Sequence, residues 1–421
     1  MSIYLERYAF TPLHIDSKPQ LDTGLIVVIP VFNEKHLNDA LNSLIASSLP
    51  PVTTEVIIII NQAENCSDEI ELQNNITFKD TSRWINNNNK KEIHFFVKHL
   101  SLPKKHAGVG LARKAGMDEA TRRFEAIDNE KGIILCYDAD CFCAPNYLSE
   151  IYHSFTSKKL KGASIYFEHQ IDNLSSLEKE GILQYELHLR HYVNGLRKAG
   201  YPYAFHTVGS SMAVRVDIYK KVGGMNRRKA GEDFHFLHKV IPFGNFEEIT
   251  STAVYPSSRS SNRVPFGTGK AMGDWINHSK STFYSYHPAI FNDIAGLLKT
   301  VPLLYKLTNI NEITTTLTPE IQAYLELENF TTIVVDIKRQ SSNLNTFIHR
   351  WFSWFNGLKV LHLVHYLRDN KYESMPICTA VKTSIKEKED TTLQLLEKYR
   401  NLDKNFTADQ IDLKHLYSEH L

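Results

Sequence analysis

The sequence predicts an α/β protein: a mostly parallel, doubly wound central sheet with flanking helices, continued by a mainly helical C-terminal region. Three observations carry this. Short, nearly all-apolar runs recur at Leu25 to Pro30, Val56 to Ile60 and Gly132 to Cys136. Parallel strands buried on both faces look like this, because they lose the polar alternation of half-exposed strands. Helix-spaced stretches separate the runs, which is the alternation that builds a parallel sheet. From residue 275 onward the strand signal nearly vanishes, so domains are expected at 1–274 and 275–421.

The chain is long enough, at 421 residues and 42% apolar, to bury a sizeable core. Lys and Arg number 48 against 47 Asp and Glu, a net charge of +1. No bulk electrostatic attraction for nucleic acid follows, since that requires a basic face. Five Cys, an odd and low count, suit reduced thiols in a cytoplasmic protein rather than a disulfide framework. Cys141-Phe142-Cys143 has no second pair at zinc-ligand spacing. No apolar run reaches the length of a membrane span and the N-terminus lacks signal-peptide character. A soluble, cytoplasmic protein is expected, with peripheral contact at the inner face of a membrane left open.

In chain order, residues 1–23 read as a lead-in with room for a short edge strand. Leu25 to Ile29 form a strand that Pro30 should end, since proline cannot donate to the ladder. Val31 to Glu34 make the loop. Leu37, Leu41, Leu44 and Ile45 then mark a helix stopped by Pro50-Pro51. Glu55 to Ile60 is the second strand, closing at Asn61-Gln62. Residues 65–90 are polar, with Asn86 to Lys91 reading as an exposed loop tip, and Ile93 to Val97 is the third strand. Gly108 and Gly110 suit a tight turn into a helix. A helix start favours an anion, and Lys104, Lys105 and Arg113 add charge nearby. The run from Gly132 ends in Asp138-Ala139-Asp140. Carboxylates at the C-terminal edge of a central strand lie where ligands bind in open α/β sheets, and they are hard oxygen ligands of the kind Mg2+ or Mn2+ uses. Asn33/Glu34, Asn61/Gln62 and Asp138/Asp140 thus sit at one edge and outline a nucleotide-sized crevice.

Further on, Gly162 to Phe167 reads as a strand and Leu177 to Leu196 as a helix, with His188, Arg190 and His191 on a solvated face. Glu232-Asp233 opens a helix running to Val240, where carboxylates are stabilised by the helix dipole. Thr331 to Val335 is the one late strand signal. Leu344, Phe347, Ile348, Trp351, Phe352, Phe355, Leu358, Leu361 and His365 trace one face of a long helix. Residues 384–402 read as a charged amphipathic helix whose Leu393, Leu396, Tyr399 and Leu402 need a partner face. The aromatic face from Leu344 to His365 reads as core, with docking on a membrane surface or a partner subunit as the alternatives, and a homo-oligomer through the C-terminal helices is left open.

Four motifs, in order, resemble family 2 glycosyltransferases of the GT-A fold, a Rossmann-like architecture, in the soluble bacterial form with a helical C-terminal extension. Val28-Ile29-Pro30-Val31-Phe32-Asn33-Glu34 looks like the family's opening. Gly108-x-Gly110-x-Ala112-Arg113-Lys114-x-Gly116 is similar to its Gly-x-x-x-Ala-Arg-Asn-x-Gly stretch. Asp138-Ala139-Asp140 resembles its DxD metal site, and Val222-Gly223-Gly224-Met225 followed by Gly231-Glu232-Asp233 its acceptor region. The resemblance covers residues 24–255. It implies a nucleoside-diphosphate sugar as donor and a divalent metal, Mg2+ or Mn2+, held by Asp138 and Asp140. Pro30, Val31, Phe32 and Glu34 would line base and ribose, Asp138 would face ribose or sugar, and Asp233, next to Glu232, would be the general base.

The chemistry asks for these groups. A departing diphosphate needs its charge neutralised, and an acceptor hydroxyl needs a carboxylate to take its proton. Asn61 stands where the family often has Asp, which leaves the donor base open, since an amide both donates and accepts. Lys114 stands where the family has Asn. In the polar loop from Pro256 to Lys270, Arg259 or Arg263 would close over the diphosphate, and His278 could be a third metal ligand. The expected activity is transfer to a carbohydrate or other hydroxyl acceptor with inversion, a hexosyltransferase-like enzyme. The alternatives are a nucleotidyltransferase making a sugar nucleotide, and a catalytically inactive sugar-nucleotide-binding scaffold.

Overall fold

The computed structural model describes residues 2–261, 266–277, 281–307, 309–413 and 417. Arg263 and His278 lie outside the described residues. Two compact units emerge: Met1–Asp172 with His206–Gly273, and Asn173–Phe205 with Asp274–Leu421.

The first unit holds an eight-stranded sheet. Its strands are β1 Thr23–Val31, β2 Thr53–Ala63, β3 Ile93–Leu102, β4 Ile133–Cys136, β5 Phe142–Cys143, β6 Gly162–Phe167, β7 Met212–Arg215 and β8 Phe246–Tyr255. They lie in the order β3-β2-β1-β4-β7-β6-β8-β5. β1 to β4 run in one sense, as do β6 and β8, while β7 and β5 oppose them. Every residue of β1 is buried, as its unbroken apolar run requires. The helix Val109–Glu125 packs across β1 and β2. It comes so close that a Cβ on Gly116 would fall 2.4 Å from Val28 Cγ1 and 2.6 Å from Ile59 Cδ1.

Pro30 does not end β1, which continues to Val31. Tyr137 N donates to Val28 O, so two residues on, the Pro30 nitrogen faces the same side. There β4 has already stopped at Cys136, the partner of Val28, and no donor is needed. The polar stretch after β2 holds a helix, Asp68–Asn88, which takes in the first three residues of the expected loop tip Asn86 to Lys91. Its buried stripe is Asn74, Thr77, Thr81 and Ile85. This is helical spacing written in polar residues, which apolar periodicity does not register.

The lead-in contributes no strand. It forms a helical turn, Ile3–Arg7, and a strap along the helix Val109–Glu125. Asp118, wholly buried, accepts from Tyr4 Oη at 2.6 Å, Phe10 N at 2.6 Å and Tyr219 Oη at 2.7 Å, and pairs with Lys114 Nζ at 3.0 Å. Replacing Asp118 with Ala leaves the buried Lys114 ammonium without its counter-charge. We expect a loss of about 3–5 kcal/mol, read as a lower urea midpoint at constant m-value. A loss below about 1 kcal/mol would show that the strap does not hold this helix.

The second unit is mainly helical, with one short antiparallel pairing of Tyr284–Ser285 and Met375–Pro376. Ser176–Ala199 begins with a capping box of Ser175 and Glu178. Its expected solvated face is buried: Arg190 and His191 are inside. Arg190 pairs with Glu186 at 2.9 Å and with Asp403, Arg197 with Asp403 at 2.7 Å, and Arg400 with Glu186 at 2.8 Å. Glu186 sits one turn before Arg190 on the same helix, whereas Asp403 and Arg400 lie on the distant helix Thr392–Lys404, beyond the reach of local pattern reading. That helix supplies part of the expected 384–402 segment; Ile377–Ile385 is a separate helix. Leu395, Leu396 and Tyr399 are buried, and their element packs against Ser176–Ala199.

Thr331 to Val335 is not a strand but part of the helix Phe330–Arg339, which buries Phe330 and Val334. Those positions lie one turn apart, and packing there overrides β-branched propensity. The long aromatic face divides into two helices, Leu344–Trp354 and Gly357–Asn370, because the Asn356 side chain caps the second. Phe347, Ile348, Trp351, Phe352 and Phe355 are fully enclosed. No described helix is long and apolar enough to cross a membrane, and all five Cys are free thiols.

Candidate active site

β2, β1 and β4 are neighbours and parallel, so the residues after each strand share one edge. Beyond β4 the chain turns sharply, Cys141 N donating to Asp138 O at 3.2 Å. The turn is fixed by Tyr137 Oη donating to Cys141 O at 2.8 Å. Asp138 and Asp140 therefore stand on a short, braced turn, with side chains 35% and 24% exposed.

After β1, Asn33 adopts φ 48°, a left-handed conformation that Asn tolerates better than most residues. Its N–H donates to Asn74 Oδ1 at 3.0 Å. Glu34 is buried, and Thr77 Oγ1 donates to its carbonyl at 2.8 Å. Phe32 is half-buried, whereas Pro30 and Val31 are buried in the sheet. β2 runs past the expected close at Asn61-Gln62 to Ala63. Near its end Asn61 Nδ2 donates to Val31 O at 2.7 Å, tying the ends of β1 and β2 together. Gln62 Oε1 accepts from Asn74 Nδ2 at 3.2 Å and lies 2.9 Å from His99 Nε2. Burial holds the His99 ring below the ordinary imidazole range. Asn74 and Thr77 are the residues sequence reasoning missed. The signal was available as a polar stripe at helical spacing.

Arg259 closes one side of the crevice. Its guanidinium meets Glu34 at 2.9 and 3.3 Å and Asp140 Oδ2 at 3.3 Å. The other side is made by Arg113. One Nη meets Asp138 Oδ1 at 2.6 Å, and the other pairs with Glu232 Oε1. The Gly-rich segment serves this approach. A Cβ on Gly110 would fall 2.1 Å from Arg228 O and 3.0 Å from Glu232 Cβ, and one on Gly108 would fall 3.2 Å from Lys229 Cα. These glycines admit the loop before Glu232 rather than framing only their own turn. Arg113 points at carboxylates, while Lys104 and Lys105 are exposed.

The expected helix is present as Glu232–Val240, entered through Gly231 at φ +68°. Asp233 Oδ1 accepts from Phe234 N at 2.7 Å. A Cβ on Gly209 would lie 3.1 Å from Asp233 Oδ2, so the missing side chain keeps space open beside this carboxylate. Burial pushes the Glu232 carboxyl up to about 7, with the Arg113 charge pulling it back. Burial raises Asp233 in the same way, again opposed by Arg113.

The carboxylates of Asp138 and Asp140 are hard, partly exposed, and already faced by cations, Arg113 and Arg259 respectively. That donor chemistry fits Mg2+ or Mn2+, which is commonly held by one or two carboxylates and completed by phosphate oxygens and water. Among the described residues, neither belongs to a group of three His, Cys, Asp or Glu ligand atoms, so a substrate would have to supply the rest.

Residues 26–223 match the family model described as glycosyl transferase family 2. No curated protein matches the chain. Among solved structures, S. aureus TarS 1–349 in complex with UDP-GlcNAc is similar at 13% identity, covering 75% of this chain and 92% of that one, with a TM-score of 0.39. The same fragment in complex with UDP gives 14%, 75%, 91% and 0.38.

Proposed function

We propose, from the premise that residues 26–223 are a glycosyl transferase family 2 domain, that this protein moves a sugar from a nucleoside diphosphate to a hydroxyl acceptor with inversion. The observation that carries the reading is the meeting of two distant carboxylate motifs at one sheet edge. Asp138, after β4, and Glu232, beside Asp233, share the Arg113 guanidinium.

In this reading Phe32, Glu34 and Asn61 receive base and ribose, and Asp138 faces ribose or sugar. Arg259 turns from Glu34 and Asp140 towards the incoming diphosphate, for which a planar guanidinium is suited. A divalent cation held by Asp140 and Asp138 would supply charge neutralisation at the leaving oxygens. The acceptor hydroxyl comes in past Gly209 to Asp233. Its proton passes to the Asp233 carboxylate as its oxygen attacks the anomeric carbon from the face opposite the diphosphate.

The test is thermal stability of the purified protein against UDP-, GDP-, CMP- and dTDP-sugars, each with and without Mn2+. One nucleotide class should raise Tm, and only with metal. With ligand at about 100 times Kd the gain corresponds to about 2.7 kcal/mol. No response to any of them would sink the reading.

A further inference from the structure

We propose that Arg113 is a positioning residue, a single buried guanidinium that clamps the donor-side carboxylate Asp138 to Glu232 beside the base Asp233. The inference rests on the transfer reaction above and deepens it.

Two elements must be placed against each other: the turn after β4 and the first turn of the helix Glu232–Val240. Arg113 bridges them with one Nη on each carboxylate, at 2.6 Å on the Asp138 side. Its side chain is only 2% exposed. Its Nε is buried with no hydrogen-bond partner, so its pairing is spent on the two carboxylates, one Nη to each. Space for the fork comes from two missing side chains. Gly209 lies so near that its Cβ would stand 2.8 Å from one Nη and 3.0 Å from the other, and Gly110 admits Glu232. The arginine itself rides on the helix Val109–Glu125, which the N-terminal strap holds through Asp118.

A diphosphate could not use this guanidinium without entering a buried site and displacing a carboxylate. Arg113 therefore acts through Asp138 and Glu232, not on the donor. Lysine cannot replace it, because one ammonium does not reproduce a planar fork. Losing the fork lets the base and the donor carboxylate drift apart, and a displacement of about 1 Å costs on the order of 10²-fold in rate.

The test is an Arg113→Lys variant, measured beside wild type for donor affinity by calorimetry, for kcat and KM, and for Tm. A Glu232→Gln variant and the double variant complete a cycle. The expected result is donor Kd and KM within about threefold of wild type, kcat lower by on the order of 10²-fold, and a double variant no worse than the poorer single one. An Arg113→Lys enzyme that keeps kcat while losing donor affinity would make Arg113 a donor ligand and overturn the clamp. So would losses that simply multiply in the double variant, or a lower Tm with kcat per folded molecule unchanged. Wild type that binds no nucleotide sugar overturns the transfer reading and the clamp together. With a wild type that binds and turns over, the variants bear on the role of Arg113 alone.

Discussion

Asp233→Asn is expected to lower kcat by about 10²–10⁴-fold, the range lost with a general base, while leaving donor affinity almost unchanged. The side chain is nearly isosteric and still accepts from Phe234 N, so the helix start should survive. What it loses is the capacity to take a proton. The pH profile adds a second check. Burial raises the Asp233 carboxyl above the ordinary Asp range, although the Arg113 charge opposes this. A base works only when ionised, so activity should fall as pH drops through that raised value and recover above it. Glu232, pushed up to about 7 by burial, titrates beside it and broadens the acidic limb. An Asn variant with wild-type kcat would remove Asp233 as the base.

Asp140→Ala carries the second large effect. Nucleotide-induced stabilisation should lose its Mn2+ dependence, and turnover should fall by roughly 10³-fold, the several kcal/mol that metal neutralisation of a leaving group contributes. The fold should persist, since Asp140 is partly exposed and Arg259 keeps Glu34 at 2.9 and 3.3 Å. Wild-type Mn2+ dependence in the Ala variant would place the metal elsewhere. A variant that binds nucleotide and metal normally but turns over slowly would instead assign Asp140 to sugar positioning.

Much of the front unit was legible because its strands announce themselves. Leu25 to Ile29, Val56 to Ile60, Ile93 to Val97 and Ile133 to Cys136 all fall within strands. The residues that end them had to share an edge once the strands were parallel neighbours. The Glu232–Val240 helix was readable from its acidic start. The helix Asp68–Asn88 was not, since its inward stripe is polar and satisfies loop backbones instead of filling a core. Nor was the burial of Arg190, since Asp403, which pairs with it beside the local Glu186, sits on a helix near the other end of the chain.

By itself the sequence determined the first four parallel strands, the order of the motifs and the chemical types at the sheet edge, because periodicity and residue type are local properties. Only the tertiary structure decided partners. It set Arg113 between Asp138 and Glu232, Arg259 on Glu34 and Asp140, and Asn74 between the loop after β1 and the end of β2. It also turned Thr331 to Val335 into helix and let β1 run past Pro30. In each case the deciding energy is a contact or a missing neighbour supplied from elsewhere in the chain. A buried charge or an unneeded N–H is recognisable only when that neighbour is in place.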